Sequence, residues 1–398
     1  MISEKMLRLA QNNSVIRAMF EEGNALAERF GRENVFDFSL GNPNFPAPPS
    51  LDGAVRAVLD DTLSTDVHGY MSNAGFLPVR RAVSENLNAR FGSGYEPAGI
   101  IMSVGAAGAL NVVLKTLLNP GDEILAFAPY FVEYGNYVAN YDGVLKVVPP
   151  NPPSFLPDEK AFAALISDKT KAVIINTPNN PTGVIYGEKT LTAIADVLTQ
   201  KQKEYGHPIY LISDEPYREL VYDGAAQPFS ANFYENTLVC YSWSKSLSLP
   251  GERIGYIAVR PGAEDYALLL DAMSIATRVM GFVNAPALMQ LAVARVLSEE
   301  PAISGYAENR KLLFEGLTAL GYECVRPDGA FYLWVQAPGS DDKAFVAAAK
   351  KYNILFVPGT SFACPGYVRI AYCVSRDMIE RSLTAFAALA SDLGLRKA

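Results

Sequence analysis

From Ile100 to Val259 the chain alternates between short, uniformly apolar runs and longer stretches whose apolar positions recur with helical spacing. The apolar runs are Ile100–Val104, Glu123–Ala128, Val144–Val148, Lys171–Asn176, Pro208–Ser213, Thr237–Tyr241 and Ile254–Val259. Between them the spacing predicts helices over Ala106–Leu118, Phe131–Tyr141, Asp158–Ile166 and Glu188–Lys203. Strands that are apolar throughout and separated by helices predict a mostly parallel sheet covered on both faces. Ligands of such sheets sit at the carboxyl ends of the strands, so the residues that follow each strand carry the functional interest.

The flanks read differently. Ser14–Phe30 has the spacing of an amphipathic helix, with Ser14 as its cap and Gly31 just past its end. Val35–Leu40 is a short strand that runs into the proline-rich stretch Gly41–Pro49, which can be neither helix nor central strand. That stretch is a linker into the main body, or an ordinary surface loop if nothing later pairs with it. Residues 263–320 are helical with breaks near Pro286 and Pro301. Strands at Tyr322–Val325, Phe331–Val335 and Tyr367–Tyr372, with helices at Asp341–Lys351 and Ser375–Leu393, form a small α+β unit whose sheet Val35–Leu40 could join. The expected architecture is a three-layer α/β/α large domain, residues 45–300, and a smaller α+β domain from residues 1–44 and 301–398.

Composition narrows the function classes. The 398 residues are 49% hydrophobic and 19% charged, ordinary for a soluble enzyme of two or three domains. A net charge of −8 argues against nucleic acid or an anionic membrane as partner. With only His68 and His207, a histidine metal cluster is excluded, and a serine–histidine triad is disfavoured. The four cysteines, Cys240, Cys324, Cys364 and Cys373, lack metal-type spacing and read as small buried residues in a reducing compartment. The N-terminus lacks the apolar core of a signal peptide, and no apolar run reaches membrane-spanning length, so the expected location is the cytoplasm.

The chemistry gathers at the strand ends. After Thr237–Tyr241, Lys245 sits among Ser242, Ser244, Ser246 and Ser248, with Arg253 eight residues on. A lysine in a tight turn between buried strands is pushed towards its neutral amine, which can condense with an aldehyde. The hydroxyls and Arg253 suit a phosphate beside it. Aldehyde plus phosphate describes pyridoxal phosphate, although a polar turn with a chance lysine explains this stretch alone equally well.

Other strand ends add to it. Asp214 would keep a pyridine nitrogen protonated, and Tyr217 could donate to a phenolic oxygen on the same ring; Asp214 as a helix cap is the plain alternative. The loop Asn176–Gly183 is held rigid by two prolines and offers Asn180 as a fixed donor. The small residues Gly105, Ala106 and Ala107 open a helix whose first N–H groups are free for an anion, or simply make a tight start. Pro129-Tyr130-Phe131 puts an aromatic face at the same level, which core packing would explain as well.

In this order and spacing the pieces resemble the class I/II aminotransferases, the aspartate aminotransferase-like, fold-type I family that depends on pyridoxal 5′-phosphate. The resemblance rests on Asn180-Pro181-Thr182-Gly183, Asp214 with Tyr217, Ser242 with Lys245, Arg253 and Arg369, and covers about Val35 to Leu393. It implies an aminotransferase moving an amino group between an L-amino acid and a 2-oxo acid by a ping-pong mechanism. Lys245 would be the Schiff-base lysine and Asp214 the partner of the ring nitrogen, with Asn180 and Tyr217 on the ring's phenolic oxygen. Ser242, Arg253 and the N–H groups of Gly105, Ala106 and Ala107 would hold the phosphate, and Phe131 would stack on the ring. Arg369 would grip the substrate carboxylate, with the backbone of Gly41 over it. Tyr70 would reach the phosphate of a neighbouring subunit, which makes a homodimer the expected assembly. The family also implies cis peptides before Pro129 and Pro181.

Substrate choice stays open. Some aspartate-specific relatives carry lysine where Ala107 stands, and Arg278 lies near the segment where others place an arginine for a side-chain carboxylate. The rival within the same chemistry is a C–S β-lyase. Many lyase relatives, however, have histidine three residues after the aspartate, where this chain has Tyr217, and the Asp-Glu-Ala-His pattern of oxoamine synthases is absent. A non-catalytic regulator of this fold would carry a DNA-binding domain ahead of it, and only about 35 residues precede the first strand.

Overall fold

The computed structural model describes residues 2–11 and 15–395; the expected cap Ser14 lies outside the described residues. Strand β1 is two residues long, Phe36–Asp37, shorter than the apolar run Val35–Leu40 suggested. It pairs in parallel with β11, Ile354–Leu355, in a two-stranded sheet of its own. The ladder stops there because the next carbonyls are spent elsewhere. The Phe38 carbonyl accepts from Ala371 N, that of Ser39 from Arg369, and that of Gly41 from Lys245. The proline-rich stretch is therefore no free loop. Its Phe45 ring also meets Tyr306 edge-on, with centroids 4.7 Å apart.

All seven predicted runs between residues 100 and 259 are strands of one sheet. They are β2 (Ile100–Ser103), β3 (Glu123–Phe127), β4 (Val144–Val148), β5 (Thr170–Asn176), β6 (Tyr210–Asp214), β7 (Thr237–Ser242) and β8 (Gly255–Val259), in the order β2-β8-β7-β6-β5-β3-β4. The neighbours from β4 to β7 pair in parallel, while β8 is antiparallel to both β7 and β2. The chain returns from β7 to β8 without a crossover helix, which forces that reversal. Nearly every residue of β2, β3 and β5–β8 is buried, as helices on both faces require. Helices Gly105–Leu117 and Tyr266–Val279 pack on one face with Ile124, Ile174 and Ile212; Glu188–Tyr205 covers Val173, Ile175 and Leu211 on the other.

The C-terminal sheet is antiparallel, in the order β12-β13-β10-β9, with β9 Cys324–Val325, β10 Tyr332–Gln336, β12 Val357–Pro358 and β13 Tyr367–Ala371. One apolar cluster joins it to Phe38, Leu220, Tyr306 and the helix Arg376–Asp392. Side chains from this cluster and from the carboxyl ends of β5–β7 meet at one cavity.

Candidate active site

The register of the large sheet sets the floor of the cavity. Asn176, the last residue of β5, pairs with Asp214, the last of β6, and Asp214 pairs with Cys240. The Asn176 amide donates to the Asp214 carbonyl at 2.8 Å, and its Oδ1 accepts from Asn180 N at 2.7 Å. One side chain thus ties the loop with Asn180 to the strand with Asp214. The peptides before Pro129 and Pro181 are both cis, as are those before Pro153 and Pro178.

Asp214 is buried. Tyr134 donates to its Oδ2 at 2.6 Å, and its Oδ1 has no partner among the described residues. Burial pushes this carboxyl up to about 7, Tyr134 opposes that rise, and neighbouring Glu215 adds to it. A buried carboxylate oxygen without a donor is costly unless a cation or a donor meets it.

Past Ser242 the chain makes one helical turn, Trp243–Ser246, which carries Lys245. The Lys245 amine donates to the Gly41 carbonyl at 2.6 Å and lies 5.5 Å from the centre of the Phe331 ring. Burial lowers it to about 8, with Arg369 and Arg253 pressing the same way against a raising influence from Cys373. Its free base is therefore accessible near neutral pH, which an exposed lysine could not offer.

Arg253 follows in a left-handed turn, φ 51°, and donates to the Pro250 carbonyl at 2.9 Å. A Cβ on Gly105 would lie 2.9 Å from its guanidinium, and Gly105 itself has φ 76°. Only glycine allows this approach of helix start to arginine. The helix Gly105–Leu117 has no side-chain cap, so Ala106 and Ala107 sit in a first turn whose N–H groups are uncommitted to a capping side chain.

Arg369 is 2% exposed. It donates to Asn180 Oδ1 at 3.0 Å and to the Ser39 carbonyl at 2.6 Å; its Nε has no partner, and among the described residues no carboxylate pairs with it. Asn180 Oδ1 is taken by Arg369, which leaves its amide N–H groups without a partner among the described residues. The Tyr217 hydroxyl lies 2.8 Å from that of Tyr332, and burial raises the Tyr217 phenol well above its ordinary value.

These groups share one cavity of about 410 Å³. Of the predicted residues, Gly41, Ala106, Ala107, Phe131, Asn180, Asp214, Tyr217, Ser242, Lys245, Arg253 and Arg369 line it. Gly105 packs just behind, against Arg253. Tyr70 and Arg278 do not line it: Tyr70 is 95% exposed, and Arg278 sits exposed in the last turn of Tyr266–Val279. Sequence reasoning missed Tyr134, Tyr137, Glu133 and Tyr332. For Tyr134 and Tyr332 the available signal was that a buried tyrosine needs a partner for its hydroxyl.

The arrangement meets what a phosphorylated aldehyde on a heteroaromatic ring requires. A near-neutral amine, an orphaned carboxylate oxygen, an uncapped helix start beside an arginine and a buried arginine without a carboxylate face one space. The family model described as aminotransferase class I and II matches residues 33–386, and the chain belongs to that family. Its relatives include a probable aspartate/prephenate aminotransferase of Thermus aquaticus, 34% identical over 92% of this chain and 94% of that one. The Thermus thermophilus aspartate/prephenate aminotransferase is 32% identical over 92% and 94%. A solved aminotransferase structure from Eubacterium rectale superposes with a TM-score of 0.96 at 44% identity, covering 98% of each chain. The fold is that of the fold-type I enzymes, and the protein is a transaminase, moving an amino group between an amino acid and a 2-oxo acid. Members of this family depend on pyridoxal phosphate.

Proposed function

We propose that this chain holds pyridoxal 5′-phosphate in the described cavity and transaminates there with Lys245 as its base. The unpartnered Oδ1 of Asp214 in the same cavity as Lys245, whose amine burial lowers to about 8, is the observation that carries the reading. When bound, the cofactor supplies an aldehyde for the amino group and an electron-withdrawing ring for charge developing at the substrate Cα. Asp214 pairs with the ring nitrogen and keeps it cationic. Asn180 and Tyr217 donate to the phenolic oxygen. Ser242, Arg253 and the backbone N–H groups of Gly105, Ala106 and Ala107 receive the phosphate. Phe131 stacks on the ring. Arg369 takes the substrate carboxylate bidentately and so fixes which Cα bond is presented for cleavage, with Gly41 lying over that carboxylate. Lys245 in its neutral form carries the Cα proton.

Among the described residues, the cations lining the chain's own cavity are Lys245, Arg253 and Arg369, and all three are used. Glu133 also lines it. A second substrate carboxylate would therefore need a cation from elsewhere, such as Arg278 of another copy. A homodimer fits this: Tyr70 is 95% exposed, and Leu63 and Val279 are 72% and 63% exposed. Asn284 donates to the Ser72 carbonyl at 2.7 Å, which holds the Tyr70 segment beside the end of helix Tyr266–Val279. Apolar exposure of this kind marks interfaces. A division into a large domain, residues 45–300, and a small one is part of the same reading, as is a cytoplasmic location, which the four free thiols favour.

The test is spectroscopic. Protein equilibrated with pyridoxal 5′-phosphate should absorb in the visible, and L-aspartate, L-glutamate, L-phenylalanine or L-alanine should bleach that band with release of the matching 2-oxo acid. Bleaching by none of them would contradict it, as would conversion of L-cystathionine to pyruvate, ammonia and a thiol in place of transamination, the latter in favour of a lyase.

A further inference from the structure

Tyr332 touches three parts of the site at once. The Arg369 guanidinium lies 4.5 Å from the centre of its ring. Its hydroxyl lies 2.8 Å from that of Tyr217. A Cβ on Gly41 would meet the same hydroxyl at 2.0 Å, so the backbone that holds Lys245 packs directly against it. The side chain is 2% exposed. Sheet register explains the first contact: Arg369 pairs with Trp334, two residues along from Tyr332, so all three side chains share one face.

The second contact poses a question of proton count. Each hydroxyl has one proton, and among the described residues each has the other as its hydrogen-bond partner. Were Tyr217 the donor, its proton would be consumed inside the pair and nothing would be left to offer the cavity. With Tyr332 as the donor, the Tyr217 proton is free to point at a ligand, and accepting a hydrogen bond makes Tyr217 a stronger donor. Both phenols stay protonated: burial raises each, Tyr332 to about 12; their mutual contact raises Tyr217 and lowers Tyr332, and Arg369 lowers both. Asp214 faces Tyr217 and Cys373 faces Tyr332, and both raise them further.

We propose that Tyr332 is a positioning residue with two separable roles: its hydroxyl donates to Tyr217 and turns the Tyr217 proton towards the cofactor, while its ring seats Arg369 for the substrate carboxylate. This rests on the transaminase reading of the cavity. The hydroxyl then acts on the cofactor, and the ring acts on substrate binding.

Tyr332→Phe and Tyr332→Leu, each loaded with pyridoxal 5′-phosphate, separate the two. L-aspartate and L-phenylalanine serve as donors, and the bound cofactor's visible band is titrated with pH. Tyr332→Phe should keep KM within about 2-fold and lower kcat roughly 5- to 20-fold, the worth of one hydrogen bond. Its titration midpoint should rise by about half a pH unit, because a weaker donor leaves more charge on the phenolic oxygen, which then holds a nearby proton more tightly. Tyr332→Leu should in addition raise KM roughly 3- to 30-fold as the guanidinium loses its aromatic seat. Tyr332→Met, nearer in volume, replaces it if Tyr332→Leu does not fold.

A Tyr332→Phe protein with the wild-type midpoint and kcat would overturn the hydroxyl role. An unchanged KM in Tyr332→Leu or Tyr332→Met would overturn the ring role. A wild-type protein that shows neither the band nor its bleaching would sink the underlying reading itself, and this inference with it.

Discussion

Tyr134 donates to Oδ2 of Asp214 at 2.6 Å while Oδ1 of the same carboxylate has no protein partner. The two oxygens are thereby made unequal. One is fixed by the helix Glu133–Asn140, and the other is left for whatever enters the cavity. The pairing orients the carboxylate and eases its ionisation where burial works against it.

Tyr134→Phe should therefore weaken cofactor binding. A hydrogen bond to a charged group contributes roughly 1.5–3 kcal/mol, so the Kd for pyridoxal 5′-phosphate should rise on the order of 10- to 100-fold at pH 7. Equilibrium dialysis measures it. An unchanged Kd would mean that Tyr134 only fills space.

The raised carboxyl also predicts how the cofactor-free protein responds to pH. Folded Asp214 titrates near 7, against an ordinary 3.8. The folded state thus holds this proton more tightly, and between about pH 4 and 7 unfolding releases it, so the Asp214 contribution makes stability fall as pH rises. The loss amounts to a few kcal/mol at most, roughly 1.4 for each pH unit between the folded and the ordinary value. Asp214→Asn removes it. The cofactor-free variant should have the higher Tm at pH 7.5, and the two proteins should converge towards pH 4. Lys245 acts in the opposite sense between its folded value near 8 and 10.5, which is why the comparison belongs below that range. A variant no more stable than wild type at pH 7.5 would contradict the assignment.

Arg369→Lys keeps the charge but loses the planar fork that makes two parallel bonds to a carboxylate. It also loses the bonds to Asn180 and to the Ser39 carbonyl that aim the fork. The expected cost is on the order of 100-fold in kcat/KM for any amino acid donor, about 3 kcal/mol, carried mostly by KM. Steady-state kinetics with L-aspartate and L-phenylalanine should show the same loss for both. A loss confined to one donor would place Arg369 on the side chain instead.

Much of this was legible in the residues. The seven sheet strands were readable because each is a short, mostly apolar run bounded by turn residues, and all but the edge strand β4 are buried. The gathering of Lys245, Asp214, Asn180 and Arg253 at one cavity was readable because each follows such a run, at the carboxyl end of a strand. Helix Leu77–Phe91 was not, since its core stripe is thin, with Val79, Val83 and Leu87 among polar neighbours. Strands β11 and β12, two residues each, are defined by their partners and leave no period to detect. Tyr134 and Tyr332 escape notice because an aromatic residue in an apolar stretch looks like core. Their hydroxyls matter only once folding sets them 2.6 Å from Asp214 and 2.8 Å from Tyr217. The apolar pattern makes Val35–Leu40 too long a strand, because it cannot show that the carbonyls of Ser39 and Gly41 serve Arg369 and Lys245.

The most direct measurement concerns the amine of Lys245. Protein equilibrated with pyridoxal 5′-phosphate is reduced with borohydride, digested and mapped by peptide mass. The account predicts one modified lysine, Lys245, and loss of the label in Lys245→Ala, which should fold normally yet have no turnover. A label on a different lysine, or substantial transamination by Lys245→Ala without added amines, would contradict it.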